Sequence, residues 1–274
     1  MRAEPSAAAI CDSVVKVYPS PGGDVMALAG VDVTFEAGVV TALVGPSGSG
    51  KSSLLRIVSG LDRPTAGRVV VGGIETSSLS SAGLRAMRRQ SVAYVWQRPA
   101  ENLVGHLTVG EHLRLAARVR RAGAGWADRA REALELLGLE DRVDHRPHQL
   151  SGGEQQRAAF AAAVVGDPAL VVADEPTGEL DSASAEDVLA AVRSLADRGT
   201  TFAIATHDPA VVAVAERTYH LRHGSLAAES TTDRPLAVID KGGRIQLPPE
   251  WRDLFPDARA HIEMDEDGMR IVPP

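Results

Sequence analysis

VVTALVGPSGSGKS, residues 39–52, decides the architecture of this chain. VVTALV is an apolar, β-branched run without polar alternation, so it reads as a buried strand. A glycine-rich turn follows it, and a helix opens at Lys51. Strand, loop and helix in that order begin a parallel α/β core. Gly45 to Ser52 also fit the spacing G-x-x-x-x-G-K-[ST] in the context that spacing requires. In such a loop backbone N–H groups turn inward around phosphate oxygens, and the helix N-terminus adds its positive end. Gly45, Pro46, Ser47, Gly48, Ser49, Gly50, Lys51, Ser52 and Ser53 therefore form an expected phosphate cradle. Lys51 brings its charge to the β and γ phosphates, and Ser52 offers a hydroxyl to Mg²⁺.

Downstream, ALVVADEP (169–176) sets two acids at the end of an apolar strand, on the sheet edge that carries the phosphate loop. Asp174 is the expected metal partner. Glu175 projects differently, where a carboxylate orients an attacking water and takes its proton. His207, in IATHD after another such strand, is placed to hydrogen-bond the γ-phosphate or to hold water and Glu175 in line. Gln97 closes the strand SVAYVW and offers an amide to Mg²⁺ or the water.

The remaining chain supports one core interrupted once. Residues 10–18 and 25–35 alternate and read as antiparallel strands joined by PSPGGD. Two helical stretches lie between residues 108 and 137, with Leu113, Leu134, Leu136 and Leu137 on apolar faces. The α/β rhythm resumes with ALVVAD, a helix over 182–196, TFAIAT and a helix after Asp208, then fades beyond Arg234. Two short strands, a short helix near Trp251 and a final hairpin through Asp267 and Gly268 are expected there. The fold class is thus α/β: a P-loop NTPase core with an antiparallel β subdomain and an inserted helical subdomain, plus a small, mostly β C-terminal module. A net charge of -7 argues against holding nucleic acid by general electrostatics. A lone cysteine, Cys11, excludes an internal disulfide and fits a reducing compartment. The N-terminal residues lack the apolar stretch of a signal peptide, and no apolar run reaches bilayer length, so a cytoplasmic protein is expected.

LSGGEQQR, residues 150–157, adds a second phosphate-binding surface: a Ser-Gly-Gly turn opening a polar helix. With the order and spacing of the other motifs, it makes residues 10–228 resemble the nucleotide-binding subunit of an ABC transporter. That resemblance implies an ATPase working as a pair, with Ser151, Gly152 and Gly153 of one subunit covering the γ-phosphate held by the other. It implies that Tyr18 stacks on adenine and that Asp181, in GELDS, belongs to the loop that speaks across the dimer. HRPHQLSGGEQQR and ADEPTGELDS are most similar to the branch serving lipoprotein release, macrolide-type efflux and cell-division complexes. ATP and Mg²⁺, an integral-membrane permease partner and a homodimer or related ATPase subunit follow as expectations. The subunit would be cytoplasmic, lying on the inner face of the membrane through its permease, in an export or extraction system. Its segment 99–107 would receive the permease's coupling helix. Two positions depart from the family pattern: Glu179 stands where Asn is usual and Ala162 where Arg is usual. Both imply altered dimer-interface electrostatics with the ATPase retained.

Residues 1–230 are assigned to the ATP-binding domain, with the helical subdomain at about 98–167, and residues 235–274 to a separate module. AVIDKGGRIQLPPEWRDLF and HIEMDEDGMRIV resemble the swapped-hairpin fold of AbrB and antitoxin-type transcription factors. Lys241, Arg244, Arg252, Arg259 and Arg270 face eight acids over residues 236–274. Phosphate neutralisation needs the opposite balance. This favours a protein–protein or dimer-locking role over DNA binding. The competing function is a soluble ATP-gated regulator whose C-terminal module binds DNA or a protein.

Overall fold

The computed structural model describes residues 7–231, 234–237, 261–265 and 268–272. Strands β1 (Ala7–Tyr18) and β2 (Val25–Glu36) pair antiparallel across the 19–24 turn. β3 (Val40–Val44) is buried at every residue and leads through the glycine loop into α1 (Lys51–Val58). β4 (Ala66–Val71) returns beside β1 and turns into β5 (Ile74–Glu75), completing a four-stranded sheet in the order β2-β1-β4-β5. α2 (Ser81–Ser91) then leads directly to β6 (Val92–Val95).

The helical insert contains α3 (Val109–Arg120), α4 (Trp126–Leu136) and α5 (Gly152–Val164). Leu113, Leu134 and Leu137 are buried, and Leu136 packs partly buried against the same core. β7 (Leu170–Asp174), α6 (Ser182–Ala196), β8 (Phe202–Thr206) and α7 (Pro209–Val214) follow in alternation. β9 (Arg217–Arg222), β10 (Ser225–Thr231) and β11 (Arg234–Ala237) close a seven-stranded sheet in the order β11-β10-β9-β3-β8-β7-β6. β6, β7, β8, β3 and β9 run parallel; β10 and β11 are antiparallel additions. The β11 strand thus joins the main sheet, although its residues 235–237 fall in the expected C-terminal module. β12 (His261–Asp265) and β13 (Gly268–Val272) form an antiparallel hairpin. The expected helix near Trp251 lies outside the described residues.

The central strands are apolar throughout because each has two faces to bury. On β8, Phe202 and Ile204 pack on the α5–α6 side, while Ala203 and Ala205 face α1 and the antiparallel sheet. β7 divides the same way, with Val171 and Ala173 on one side and Leu170 and Val172 on the other. Phe160 and Phe202 meet edge to face at 6.1 Å in the first core, and Phe35 fills the second. Each such fully buried ring contributes roughly 1.5–3 kcal/mol of transfer free energy. This double burial fixes the carboxyl ends of β3, β7 and β8 side by side, and the functional loops leave from that edge.

Candidate active site

At the carboxyl edge lies a cleft of about 560 Å³ bounded by Ser47 to Ser53, Tyr18, Gln97, Asp174, Glu175 and His207. Six separate stretches of sequence meet there, Val25 to Ala27 being the sixth. Gly45 and Pro46 are not among the residues bounding it, but their carbonyls accept hydrogen bonds from Lys51 Nζ at 2.7 and 3.3 Å. The ammonium is therefore folded over the loop. Gly50 has φ +105°, and a Cβ there would lie 2.5 Å from the Ala27 carbonyl oxygen, so the turn into α1 admits no side chain.

Asp174 lies half-buried at the end of β7. Burial pushes its carboxyl above the ordinary range, a hydrogen bond from Ser52 opposes that rise, and the charge of Glu175 adds to it. Tyr94 also donates to Asp174, and burial together with that carboxylate raises the phenol. A desolvated carboxylate beside a hydroxyl and under-supplied with positive charge suits a small hard cation. Mg²⁺ takes one or two protein oxygens and keeps water and phosphate for the rest. Ser52, Asp174 and the Gln97 amide match that donor set, and no cluster of three or more His, Cys, Asp or Glu occurs among the described residues.

Glu175 breaks from β7 at φ 47°, in the left-handed region, and its N–H donates to the Ala205 carbonyl at 2.9 Å. Its Oε1 lies 2.9 Å from His207 Nδ1, and its Oε2 accepts the His207 N–H at 3.4 Å. Both oxygens are thereby oriented from the end of β8. Thr177 donates to Asp208 at 3.0 Å and ties the two loops together.

Tyr18 is supported from below. Its hydroxyl donates to Asp62 Oδ2 at 3.0 Å, and Lys16 Nζ stands 4.7 Å from the ring centroid while donating to Asp62 Oδ1 at 2.7 Å. Burial raises the Asp62 carboxyl, but the hydrogen bonds from Lys16, the Arg63 N–H and Tyr18 outweigh it and leave the group below its ordinary value. Lys16, Asp62, Val25 and Met26, the last two lining the cleft, were missed from sequence; nothing in their local pattern marks them.

Ser151, Gly152, Gly153 and Asp181 lie outside the residues bounding this cleft, and they sit at the N-termini of two helices that approach through Gly152 and Gly153 against Leu180 and Ser184. Ser151 caps α5: its Oγ accepts the Glu154 N–H at 3.2 Å, and Glu154 Oε2 accepts the Ser151 N–H at 2.8 Å. The cap uses one hydroxyl lone pair and leaves the O–H as a donor. Hydrogen bonds from the Ser151 N–H and Arg142 hold Glu154 below the usual carboxylate range. Asp181 caps α6, accepting from the Ser184 N–H at 3.0 Å and the Ser184 hydroxyl at 2.8 Å. A Cβ on Gly153 would fall 2.8 Å from Ser184 Cβ, so the absence of a side chain lets the two helix N-termini abut. Glu179 pairs with Arg98 at 3.2 Å, and Ala162 lines a groove beside α2 and α3.

A phosphate loop, a metal-suited carboxylate, a water-suited carboxylate and a separate Ser-Gly-Gly helix start define a nucleotide-hydrolysing cassette. Residues 28–178 match the family model for the ABC transporter. The macrolide export ATP-binding/permease protein MacB of Salmonella paratyphi A (strain ATCC 9150 / SARB42) is 42% identical over 265 residues, covering 92% of this chain and 39% of that protein. MacB of Hyphomonas neptunium (strain ATCC 15444) is 41% identical over 220 residues, 79% of this chain and 34% of the relative. The chain thus spans about two fifths or less of these relatives. Among solved structures, the dimeric post-hydrolysis state of the ATP-binding cassette MJ0796 bound to ADP and Pi aligns with TM-score 0.73 and 34% identity, covering 82% of this chain and 99% of that one. The chain belongs to the ABC transporter family. It is an ATP-binding, ATP-hydrolysing cassette of that family, with Mg²⁺ as its metal.

Proposed function

We propose that this chain is the nucleotide-binding subunit of an exporter, in which ATP closes a head-to-tail pair of cassettes and hydrolysis reopens it. The separation of the two phosphate-facing surfaces carries this reading: the nucleotide cleft and the Ser151–Asp181 surface lie apart on one chain, and a second copy supplies what the first lacks. Lys51 and the loop N–H groups hold the phosphates, and Ser52, Asp174 and Gln97 hold Mg²⁺. The metal, when bound, neutralises charge on the transferring phosphate. Glu175, steadied by His207, orients the attacking water and accepts its proton. Tyr18 stacks on adenine, and Ser151, Gly152, Gly153 and Asp181 act from the opposite subunit.

The MacB relatives are named as ATP-binding/permease proteins, which supports a membrane permease as the partner here. No described helix is long and apolar enough to cross a membrane, so the span would belong to another polypeptide segment. A groove of about 500 Å³, lined by Val104, Leu115 and Val119 together with Arg85, Arg88 and Arg89, offers the permease a partly apolar seat that includes part of the 99–107 segment. The cassette would then work on the inner face of the membrane. The residues that follow β11 would form the AbrB-like module and hold two copies together, raising the local concentration of one cassette near its twin.

The test is affinity capture of tagged Glu175→Gln protein from detergent-solubilised cells with ATP and Mg²⁺. A stoichiometric membrane protein is the expected companion. Recovery of soluble partners or DNA alone would replace the exporter with an ATP-gated regulator.

A further inference from the structure

Gln97 reaches the nucleotide cleft, but the backbone that carries it is held from outside the cleft. Asn102 Oδ1 accepts the Trp96 N–H at 2.7 Å, and Asn102 Nδ2 donates to the carbonyls of Trp96 and Arg98 at 3.0 and 3.2 Å. Asn102 Nδ2 also donates to Gln156 Oε1 at 3.3 Å. Gln156, wholly buried on α5, donates in turn from Nε2 to the Trp96 carbonyl at 3.3 Å. The amide assignments check one another. Flipping Gln156 would set nitrogen against nitrogen at Asn102 and oxygen against oxygen at Trp96, and flipping Asn102 would oppose two donors at the Trp96 N–H. On the other side, Gly178 brings its backbone so close that a Cβ would lie 3.1 Å from Gln97 Nε2.

We propose that Asn102 and Gln156 are positioning residues for Gln97, through which the helix capped by Ser151 sets where the Gln97 amide stands in the nucleotide cleft. The inference rests on the assignment of Gln97 to the metal and water. A buried amide whose donor and acceptor are both satisfied is rigid, so displacement of α5 moves the Trp96 carbonyl and with it the next residue.

The experiment compares Asn102→Asp and Gln156→Met in the full chain, each alone and combined with Gln97→Ala. Asn102→Asp keeps the acceptor for the Trp96 N–H but sets a carboxylate oxygen against the acceptors of Trp96, Arg98 and Gln156, and it keeps the proposal testable if Gln156→Met fails to fold. Each single variant is expected to lower kcat about tenfold with KM for ATP held within about twofold. Added to Gln97→Ala, each should change kcat by less than about twofold, because both act through the same residue. Without nucleotide, amide exchange over residues 96–98 should quicken in both variants. Parental kcat, or losses that add in full to that of Gln97→Ala, would overturn the proposal. A Gln97→Ala protein with parental kcat would instead remove the assignment of Gln97, and the clamp's purpose with it.

Discussion

Glu175 is committed to its place by backbone as well as side chain. A non-glycine residue at φ 47° is uncommon, and here the conformation turns the carboxylate away from Asp174 and toward His207. Substituting Gln keeps the shape and removes the proton acceptor. Glu175→Gln is therefore expected to bind ATP normally while kcat falls by about 10²–10⁴-fold, measured by phosphate release beside equilibrium nucleotide binding. Asp62 lies behind Tyr18, whose hydroxyl donates to it, and on the proposed role of Tyr18 it would act on the base through that ring. Asp62→Asn loses the Lys16 ion pair and weakens the acceptor for Tyr18, so KM for ATP should rise severalfold with kcat little changed. Because the Asp62 carboxyl is held below its unfolded value of 3.8, the stability it supplies is present above that pH and is lost as pH falls through the folded value. Acid unfolding of the parent and of Asp62→Asn should consequently converge below pH 3.8, and an unchanged gap there would argue against the ion pair.

At the scale of elements, the insert depends on caps and on one buried histidine. Thr108 and Glu111 form a reciprocal capping box at the start of α3, with the Thr108 N–H donating at 2.8 Å and the Glu111 N–H at 3.2 Å. Thr108→Ala should cost about 1 kcal/mol, read as a lower midpoint in denaturant. His112, four residues on, accepts the Val104 N–H on Nε2 at 2.7 Å and lies 2.7 Å from the Thr108 carbonyl on Nδ1. That pattern requires the neutral ring with its proton on Nδ1, and burial lowers the pKa accordingly. As pH falls below 6.5 the unfolded chain takes up a proton that the folded chain resists, so stability declines toward the folded pKa. The stability gap between parent and His112→Ala should narrow over that window. Much of this was legible beforehand: the antiparallel opening, the buried strands and the helix over 182–196 follow from alternation, apolar runs and caps. β4, β9 and β10 escaped because Arg68, Arg217, Arg222 and Glu229 interrupt their apolar pattern, and ion pairs formed only in the fold explain three of these charges. Phosphate-loop, acid and histidine positions could be read from local spacing, and they gather in one cleft. The Asn102–Gln156 contact could not, since 54 residues separate its partners, and although Gln156 lies within LSGGEQQR nothing in that octet points to Asn102.

For the whole molecule, the proposed pairing assigns the two phosphate-facing surfaces to different copies. A twofold axis that places the Ser151–Asp181 surface of one cassette over the cleft of its partner does so twice, giving two composite sites. Two broken chains then complement each other. Lys51→Ala spoils both sites of its own dimer through the phosphate loop, and Ser151→Arg spoils both through the opposite surface. In a mixed dimer one site inherits both lesions, while the other combines the intact loop of one chain with the intact surface of its partner. If chains assort freely and the sites turn over independently, half the dimers are mixed and each has one of two sites restored. ATPase activity should then return to about a quarter of the parental rate. The controls are the two variants measured separately at the same total concentration, where each should be silent. Mixed samples that remain silent while size-exclusion or cross-linking shows mixed dimers would mean that the sites do not act alone. Activity in Ser151→Arg by itself would mean that the cleft is completed within one chain, contrary to the separation of the two surfaces.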